Sequence, residues 1–211
     1  MAIEFQAWPK TPRLFRDVVV TEKVDGTNSA IIIQESFGDH EDESVLKYIW
    51  RDEVRYEVGA QSRNRLIFPG KTTDNHGFAR FVQQNAEKLF DILGPGRHFG
   101  EWWGKGIGKR YSAQMDIVKG FALFNTAKHE GLHEWLPFGD EHVILETVPV
   151  LYQGPFSEEK IRDILEELKK AGSVVSPFSP AEGVVVFHTQ SRQVYKYTID
   201  GEDAGKYEVK K

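Results

Sequence analysis

One short segment of the chain combines a lysine and a carboxylate between two apolar runs. It reads Lys-Val-Asp-Gly over residues 23–26, after residues 18–20 and before residues 30–33. Asp-Gly between strand-like runs is a strong hairpin signal, so the sequence predicts a hairpin with Lys23 at a strand end. Because side chains alternate along a strand, Lys23 and Asp25 can share one face. This lysine is a candidate covalent nucleophile, and the alternative is an ordinary solvated lysine on a surface hairpin.

Three further charged residues lie inside apolar or aromatic segments. Glu101 precedes two tryptophans, Glu182 precedes a valine run, and Lys196 lies within an aromatic strand. A charge in such surroundings is either buried with a partner or faces a pocket. The alternative for each residue is a surface charge at a strand end. In combination with the lysine of the first segment and with Arg63, these residues favour a pocket.

The composition limits the class of protein. The chain has 211 residues, a net charge of −5, 40% hydrophobic and 28% charged residues, which predicts one globular domain or a tight two-lobed one. No run approaches the roughly 18 apolar residues of a membrane span, and the first residues lack the pattern of a signal peptide. The absence of cysteine excludes disulfides and thiolate metal sites, and it indicates a cytoplasmic location. The net charge excludes a uniformly basic nucleic-acid binder, although it allows a local site.

The elements that must position these residues are mostly strands. Strands are predicted on both sides of the first segment, at residues 45–58, 98–103 and 119–125, and as a hairpin formed by residues 182–187 and 194–199. Apolar spacing predicts one helix from Phe78 to Leu93, and a second helix has Ser157 as its N-cap and Gly172 at its end. The sequence therefore predicts an α+β fold of mostly antiparallel sheets flanked by helices.

Six short motifs follow one another along nearly the whole chain. They are Lys-Val-Asp-Gly at 23–26, Ser-Arg-Asn at 62–64, Gly-Glu-Trp-Trp-Gly at 100–104, Phe-Ala-Leu-Phe-Asn at 121–125, Glu-Gly-Val-Val at 182–185 and Tyr-Lys-Tyr at 195–197. This ordered set resembles that of the covalent nucleotidyltransferases, which comprise DNA ligases, RNA ligases and mRNA capping enzymes. The chain is most similar to the RNA ligases that seal breaks in RNA duplexes. Asn28 stands where DNA ligases usually carry arginine, and Glu101 is followed by Trp-Trp-Gly-x-Gly-Ile.

The resemblance implies an ATP-grasp-like nucleotidyltransferase domain and an ATP-dependent reaction in three steps. Lys23 attacks the α-phosphate of ATP to form lysyl-AMP, AMP passes to an RNA 5′-phosphate, and a 3′-hydroxyl then displaces AMP. Free lysine has a pKa of about 10.4, so a metal ion, Lys196 and partial desolvation would have to lower the pKa of Lys23. The implied cofactors are ATP and Mg²⁺ or Mn²⁺. The implied partner is RNA, as a nicked duplex or an RNA–DNA hybrid.

The resemblance also implies roles for individual residues. The catalytic residues are Lys23 and Lys196. The nucleotide-binding residues are Glu22, Asn28, Arg63, Glu101, Phe124, Glu182 and Lys196. Glu182 and Glu101 are expected metal ligands, and Glu101 alternatively accepts hydrogen bonds from the ribose hydroxyls.

Two of these assignments have a competing residue nearby. Phe124 is expected to stack on adenine, with Phe121 as the competing aromatic residue. Arg63 is expected to contact a phosphate, with Arg65 as its rival.

The sequence departs from the family pattern in two ways. The last motif commonly reads Lys-x-Lys, whereas here Thr198 replaces the second lysine, and Lys105 and Lys109 are candidates to supply that charge. Only 14 residues follow Tyr197. We therefore expect a single nucleotidyltransferase domain over residues 1–211, with no C-terminal accessory domain. RNA would then be held by the basic loop of residues 104–110 or by a protein partner.

Other functions remain as alternatives. His129 to His133 reads His-Glu-x-x-His, which is the zinc protease motif, but Gly131 and Pro137 disfavour the helix that this chemistry needs, so the sequence predicts a surface loop. A capping-type guanylyltransferase would use the same lysyl chemistry with GTP. A non-catalytic RNA-binding module on a ligase scaffold is the third alternative.

Overall fold

The chain forms two β-sheets, each covered by one helix. The computed structural model describes residues 3–37, 41–108, 111, 119–177 and 179–200. The strands are β1 (Asp17–Glu22), β2 (Gly26–Glu35), β3 (Lys47–Arg51), β4 (Val54–Ser62), β5 (Gly96–Gly104), β6 (Lys119–Leu123), β7 (His133–Phe138), β8 (Glu141–Thr147), β9 (Val150–Pro155), β10 (Gly183–His188) and β11 (Gln193–Thr198). The helices are α1 (Phe78–Leu93) and α2 (Glu158–Ala171).

The strand order defines a small and a large sheet. The small sheet has four strands in the order β11-β10-β1-β9, and the large sheet has seven in the order β3-β4-β2-β5-β6-β8-β7. Within the described residues every neighbouring pair of strands is antiparallel except β6 and β8. The predicted α+β fold with mostly antiparallel sheets is confirmed.

The large sheet buries one face against α1. Alternate residues of its central strands, such as Ile31 and Ile33, point into the core that α1 closes with Phe78, Phe81 and other apolar residues. The helix ends at Leu93 and is capped by Gly94, whose backbone N–H donates to the Phe90 carbonyl at 2.8 Å. This helix lies where the apolar spacing predicted it.

The small sheet packs against α2 in the same way. Ile161, Ile164 and Leu168 of the helix meet Val18 and Val20 of β1 in a second core. The Ser157 hydroxyl accepts a hydrogen bond from the Lys160 N–H at 3.2 Å, so Ser157 is the N-cap that the sequence predicted.

The predicted hairpin around Asp25 and Gly26 is wrong. β1 pairs with β9 and β10, whereas β2 pairs with β4 and β5, so the two strands belong to different sheets. Each strand buries alternate residues against a different helix, and one hairpin could not serve both cores. Residues 23–25 are therefore the crossover between the sheets. Gly26 is needed for close packing, because a Cβ there would collide with the backbone oxygen of Trp102.

The His-Glu-x-x-His segment forms no helix. His129 lies in a turn, His133 begins β7, and the two residues therefore do not share a helix face. The His129 Nε2 atom instead lies 3.4 Å from Nδ1 of the buried His98. Among the described residues no three His, Cys, Asp or Glu side chains are grouped to hold a metal ion. No helix in the described ranges is long and apolar enough to cross a membrane.

Candidate active site

Lys23 lies at the point where the chain leaves the small sheet. Its backbone N–H donates to the Gly183 carbonyl at 2.9 Å, which extends the pairing of β1 with β10 by one residue. This pairing brings Lys23 beside Glu182, the residue before β10. The Lys23 Nζ atom lies 2.5 Å from Glu182 Oε1, and the two side chains are 25% and 20% exposed. The predicted nucleophile is therefore half-buried and ion-paired.

A cavity of about 350 Å³ opens beside this ion pair. The residues that line it come from the crossover, the start of β2, the end of β4, β5 and the start of β10: Lys23, Asp25, Gly26, Thr27, Asn28, Arg63, Glu101 and Glu182. Its volume is within the range of small-molecule sites. Lysine, arginine and carboxylate groups thus converge on a space that can hold a charged ligand.

Glu101 and Asn28 are held next to each other in the large sheet. They are paired residues of β5 and β2, and both line the cavity. Burial raises the pKa of Glu101 to about 7. The positive charges of Lys23 and Arg63 oppose this rise, and the negative charge of Glu182 adds to it. Glu101 therefore changes its charge near neutral pH in the ligand-free chain.

Lys196 does not line the cavity, although it lies on the same side of the small sheet as Lys23. Thr21 of β1 and Lys196 of β11 both pair with Val185 of β10, and Lys196 is exposed. Thr198 pairs with Gly183, which also accepts the Lys23 N–H. Thr198, where the family commonly carries its second lysine, is thus level with Lys23 across β10. Lys196 lies two residues away along β11, level with Thr21.

Phe124 and Phe121 occupy opposite sides of the large sheet. Phe121 is fully buried in the core with α1, whereas Phe124 is 43% exposed. Phe124 lies two residues after Ala122, which pairs with Glu101, so alternation places Phe124 on the cavity side of the sheet. Phe124 itself does not line the cavity. Of the two phenylalanines, it is the one accessible to a ligand.

Glu22 points away from the cavity, because it is next to Lys23 in an extended segment. Its buried carboxylate accepts hydrogen bonds from the Ser173 hydroxyl at 2.5 Å and from the Val174 and Val175 N–H groups at 2.9 and 3.3 Å. Burial raises the pKa of Glu22, while these hydrogen bonds oppose the rise. Glu22 therefore holds the loop after α2 through hydrogen bonds, and it does not line the cavity where a nucleotide contact was expected.

Several residues that support the site carried no signal in the sequence. The Tyr111 hydroxyl accepts the Asp25 N–H at 3.1 Å and lies 3.4 Å from the Ser173 hydroxyl. The Asn75 amide donates to the Thr27 hydroxyl at 3.1 Å. These partners are 86 and 48 residues away from the segment they hold, so only the folded chain reveals them.

The rival cations are placed differently. Arg65 donates to the Thr72 carbonyl at 3.3 Å and does not line the cavity, whereas Arg63 does. Lys105 also does not line it. Lys109 lies outside the described residues.

The carboxylates of the cavity fit a hard divalent cation. Glu101, Glu182 and Asp25 all line the same space. Magnesium is usually held by one or two carboxylates together with waters and substrate phosphates, so a complete protein cage is not required. Glu182 and Glu101 therefore both face the cavity, and their role as metal ligands remains a prediction.

Comparison with known proteins determines the family. A model of the family described as RNA ligase matches residues 16–198 of this chain. The chain belongs to the RNA ligase family. No curated protein sequence matches it.

Several solved structures of RNA ligases are similar to this chain. A mutant of the Naegleria gruberi RNA ligase with AMP and Mn has a TM-score of 0.52 and 16% identity, with 89% of this chain and 51% of that chain covered. A second mutant of this ligase with AMP and Mn has a TM-score of 0.53 and 15% identity, with 89% of this chain and 51% of that chain covered. An archaeal ATP-dependent RNA ligase has a TM-score of 0.48 and 18% identity, with 87% of this chain and 42% of that chain covered. The likeness to the Naegleria protein shows a shared fold, and this chain spans about half of that protein's length.

This member of the RNA ligase family brings five of its predicted site residues to one cavity: Lys23, Asn28, Arg63, Glu101 and Glu182. Three predicted residues do not line it, namely Glu22, Phe124 and Lys196. The geometry thus collects the motifs from distant parts of the chain. The roles of the individual residues remain predictions.

Proposed function

We propose that this chain is the nucleotidyltransferase part of an ATP-dependent RNA ligase that works through lysyl-AMP on Lys23. The observation that carries the proposal is the half-buried Lys23 amine, which is ion-paired to Glu182 on the wall of a cavity that also holds Arg63 and Glu101. A surface lysine would have neither the partner nor the cavity. Membership in the RNA ligase family supports the same chemistry.

In the first step the Lys23 nitrogen attacks the α-phosphorus of ATP. A nitrogen–phosphorus bond forms, the bond from phosphorus to the bridging oxygen breaks, and pyrophosphate leaves. The amine must first lose its proton, and the ion pair with Glu182 Oε1 at 2.5 Å favours the protonated form. A cation held by Glu182 would remove this stabilisation, so the neutral amine depends on the charge placed beside it.

Glu101 and Glu182 would hold Mg²⁺ or Mn²⁺ together with phosphate oxygens. When bound, such an ion neutralises charge on the reacting phosphates and favours the neutral amine. A cation beside Glu101 would also keep its carboxylate ionised. Glu101 and Glu182 would thus fix the position of the cation beside Lys23.

The remaining predicted residues would hold the nucleotide. Arg63, on the cavity wall, presents a planar set of donors to a phosphate, and Asn28 presents an amide. Phe124 would stack on adenine at the exposed side of the large sheet. Lys196 would approach the phosphates along the small sheet, next to Thr198. For Glu22 we propose an indirect effect, through the loop that it holds.

In the later steps AMP would pass to an RNA 5′-phosphate, and a 3′-hydroxyl would attack that phosphate and release AMP. The proposed substrate is a nick in duplex RNA or in an RNA–DNA hybrid. Sealing such a nick is a reaction of RNA repair. A protein partner could supply part of the RNA contact.

Labelled nucleotides test this function. The protein is incubated with Mg²⁺ and α-³²P-labelled ATP or GTP, and label retained on the denatured protein is measured. Label from ATP alone, followed by joining of a nicked RNA duplex, is the expected result. Label from GTP alone would replace the ligase with a capping-type enzyme. Lys23→Ala is the control for non-covalent label.

A further inference from the structure

Two exposed aromatic rings lie beside the cavity on the same face of the large sheet. Phe99 is two residues before Glu101 in β5, so both point to the cavity side, and Phe99 is 43% exposed. Phe124 is 43% exposed as well, and its N–H donates to the Phe99 carbonyl at 2.9 Å. The sheet therefore presents neighbouring aromatic side chains to solvent at the edge of the cavity.

Phe99 is the exposed aromatic side chain of β5, whereas Trp102 and Trp103 are fully buried and His98 is buried. Near its end, β5 therefore packs Trp102 and Trp103 into apolar cores on its two faces, whereas the Phe99 side chain faces solvent. An exposed ring beside a ligand cavity is a candidate contact for a ligand.

A cation continues this surface away from the cavity. Arg97 is exposed and lies two residues before Phe99, on the same side of β5. At the other end, Arg63 lines the cavity. Ala30 of β2, which pairs with Phe99, and Ile32, which pairs with Arg97, are uncharged. We call Arg97 and Phe99 the β5 track.

We propose that the β5 track guides the RNA strand into the cavity, with Phe99 stacking on an unpaired base and Arg97 contacting a phosphate. The proposal rests on the proposed function, because it assigns part of that site's RNA substrate. Arginine complements the phosphate charge, and every base has a face that can stack on an aromatic ring. A paired base within a duplex has no free face, so the track selects an unpaired segment, such as a strand end that frays at a nick.

The track explains how an acidic chain can hold RNA. The net charge is −5, so attraction of RNA requires a local arrangement of cations. On the cavity side of the large sheet, Arg97 lies beyond Phe99, and Arg63 lines the cavity together with Lys23 and Glu101. Because the track continues from the cavity, the strand it binds is the one whose end reaches the reacting groups.

Binding and adenylation are measured separately to test the track. Fluorescence anisotropy of a labelled, 5′-phosphorylated single-stranded RNA of 12 nucleotides, without ATP, reports RNA binding. Intact mass after incubation with ATP and Mg²⁺ reports covalent AMP. The variants are Phe99→Leu, Phe99→Tyr and Arg97→Ala. The matched control is Trp50→Ala, because Trp50 is 61% exposed on β3, the strand at one edge of the same sheet.

Phe99→Leu should weaken single-stranded RNA binding by about 10-fold, since stacking is lost while apolar bulk remains. Phe99→Tyr should bind as the unmodified chain does. Arg97→Ala should lower the slope of log affinity against log salt by about 0.7, the value for one phosphate contact on a single strand. None of these variants should change AMP attachment, and Trp50→Ala should change neither property.

Other outcomes would overturn the track. Unchanged RNA binding by Phe99→Leu, or an equal loss for a blunt RNA duplex, would exclude base stacking at this position. Loss of AMP attachment with intact RNA binding would place Phe99 in the nucleotide site. If the unmodified chain forms no AMP adduct, the proposed function fails, and the anisotropy measurement still reports on the track.

Discussion

The Lys23 Nζ atom and Glu182 Oε1 lie 2.5 Å apart, where β1 ends and β10 begins. Hydrogen bonding between neighbouring strands fixes the two backbones, so the ion pair forms in the absence of ligand. Lys23 must leave this pair to form a covalent bond. Glu182 is then free to bind a cation.

Glu182→Ala should slow AMP attachment on the order of 100-fold, because the proposed cation beside the reacting phosphate loses one of its two carboxylate ligands. The free energy of unfolding should change by no more than about 1 kcal/mol, since the pair is partly solvated. Rates of adduct formation across a Mg²⁺ titration, together with urea unfolding, measure both effects. An unchanged rate and an unchanged Mg²⁺ requirement would remove Glu182 from the mechanism.

Glu101 should make the stability of the ligand-free chain depend on pH. Its pKa is raised from an ordinary value of 4.5 to about 7, so its carboxyl binds a proton more tightly in the folded chain. This contribution to stability is fully present below pH 4.5 and is lost as the pH rises through 7. Glu101→Gln should not lose it.

Urea unfolding at several pH values between 4.5 and 8 measures this contribution. From low to high pH the unmodified chain should lose up to about 3 kcal/mol more than Glu101→Gln. Other carboxyls with raised pKa values, such as Glu22 and Glu146, are present in both proteins and cancel in the comparison. Parallel pH profiles for the two proteins would show that Glu101 is not perturbed.

Glu22→Ala should destabilise the chain by about 1–3 kcal/mol, because Ser173, Val174 and Val175 lose their acceptor. Urea unfolding measures the loss, and Glu166→Ala, on the exposed side of α2, is the control. ATP affinity of the folded variant should change little. A 10-fold loss of ATP affinity with unchanged stability would instead indicate a direct nucleotide contact.

Gly26→Ala should destabilise the chain by about 1–3 kcal/mol and reduce AMP attachment, because its Cβ would collide with the Trp102 backbone oxygen. Gly59→Ala, in the neighbouring β4, is the matched control, since the nearest atom to its Cβ would be 3.8 Å away. Thermal unfolding compares the two. Equal stability of both variants would contradict the close packing of β2 on β5.

Local signals predicted much of the fold. The apolar stripes and end residues of α1 and α2, the strands between residues 45 and 58, and the C-terminal hairpin are all present in the structure. The predicted pairing of β1 with β2 was wrong, because the two strands pack against different helices and therefore belong to different sheets. The strands β7, β8 and β9 were not predicted as separate elements.

The ordered motifs predicted five of the residues that meet at the cavity but not how the site is supported. The alternation of side chains already places Glu22 opposite Lys23. The partners Ser173 and Tyr111 carry no motif, and Ser173 is 151 residues from Glu22. Contacts of this kind depend on the packing of the loop after α2, which has no local pattern.

The mass of the intact protein after incubation with ATP and Mg²⁺ shows whether Lys23 becomes adenylated. We expect a gain of one AMP, which peptide mapping locates on Lys23, and no gain for a folded Lys23→Ala variant. An AMP adduct on folded Lys23→Ala, or its location on another residue, would rule out Lys23 as the nucleophile. So would the absence of any adduct on the folded, unmodified chain.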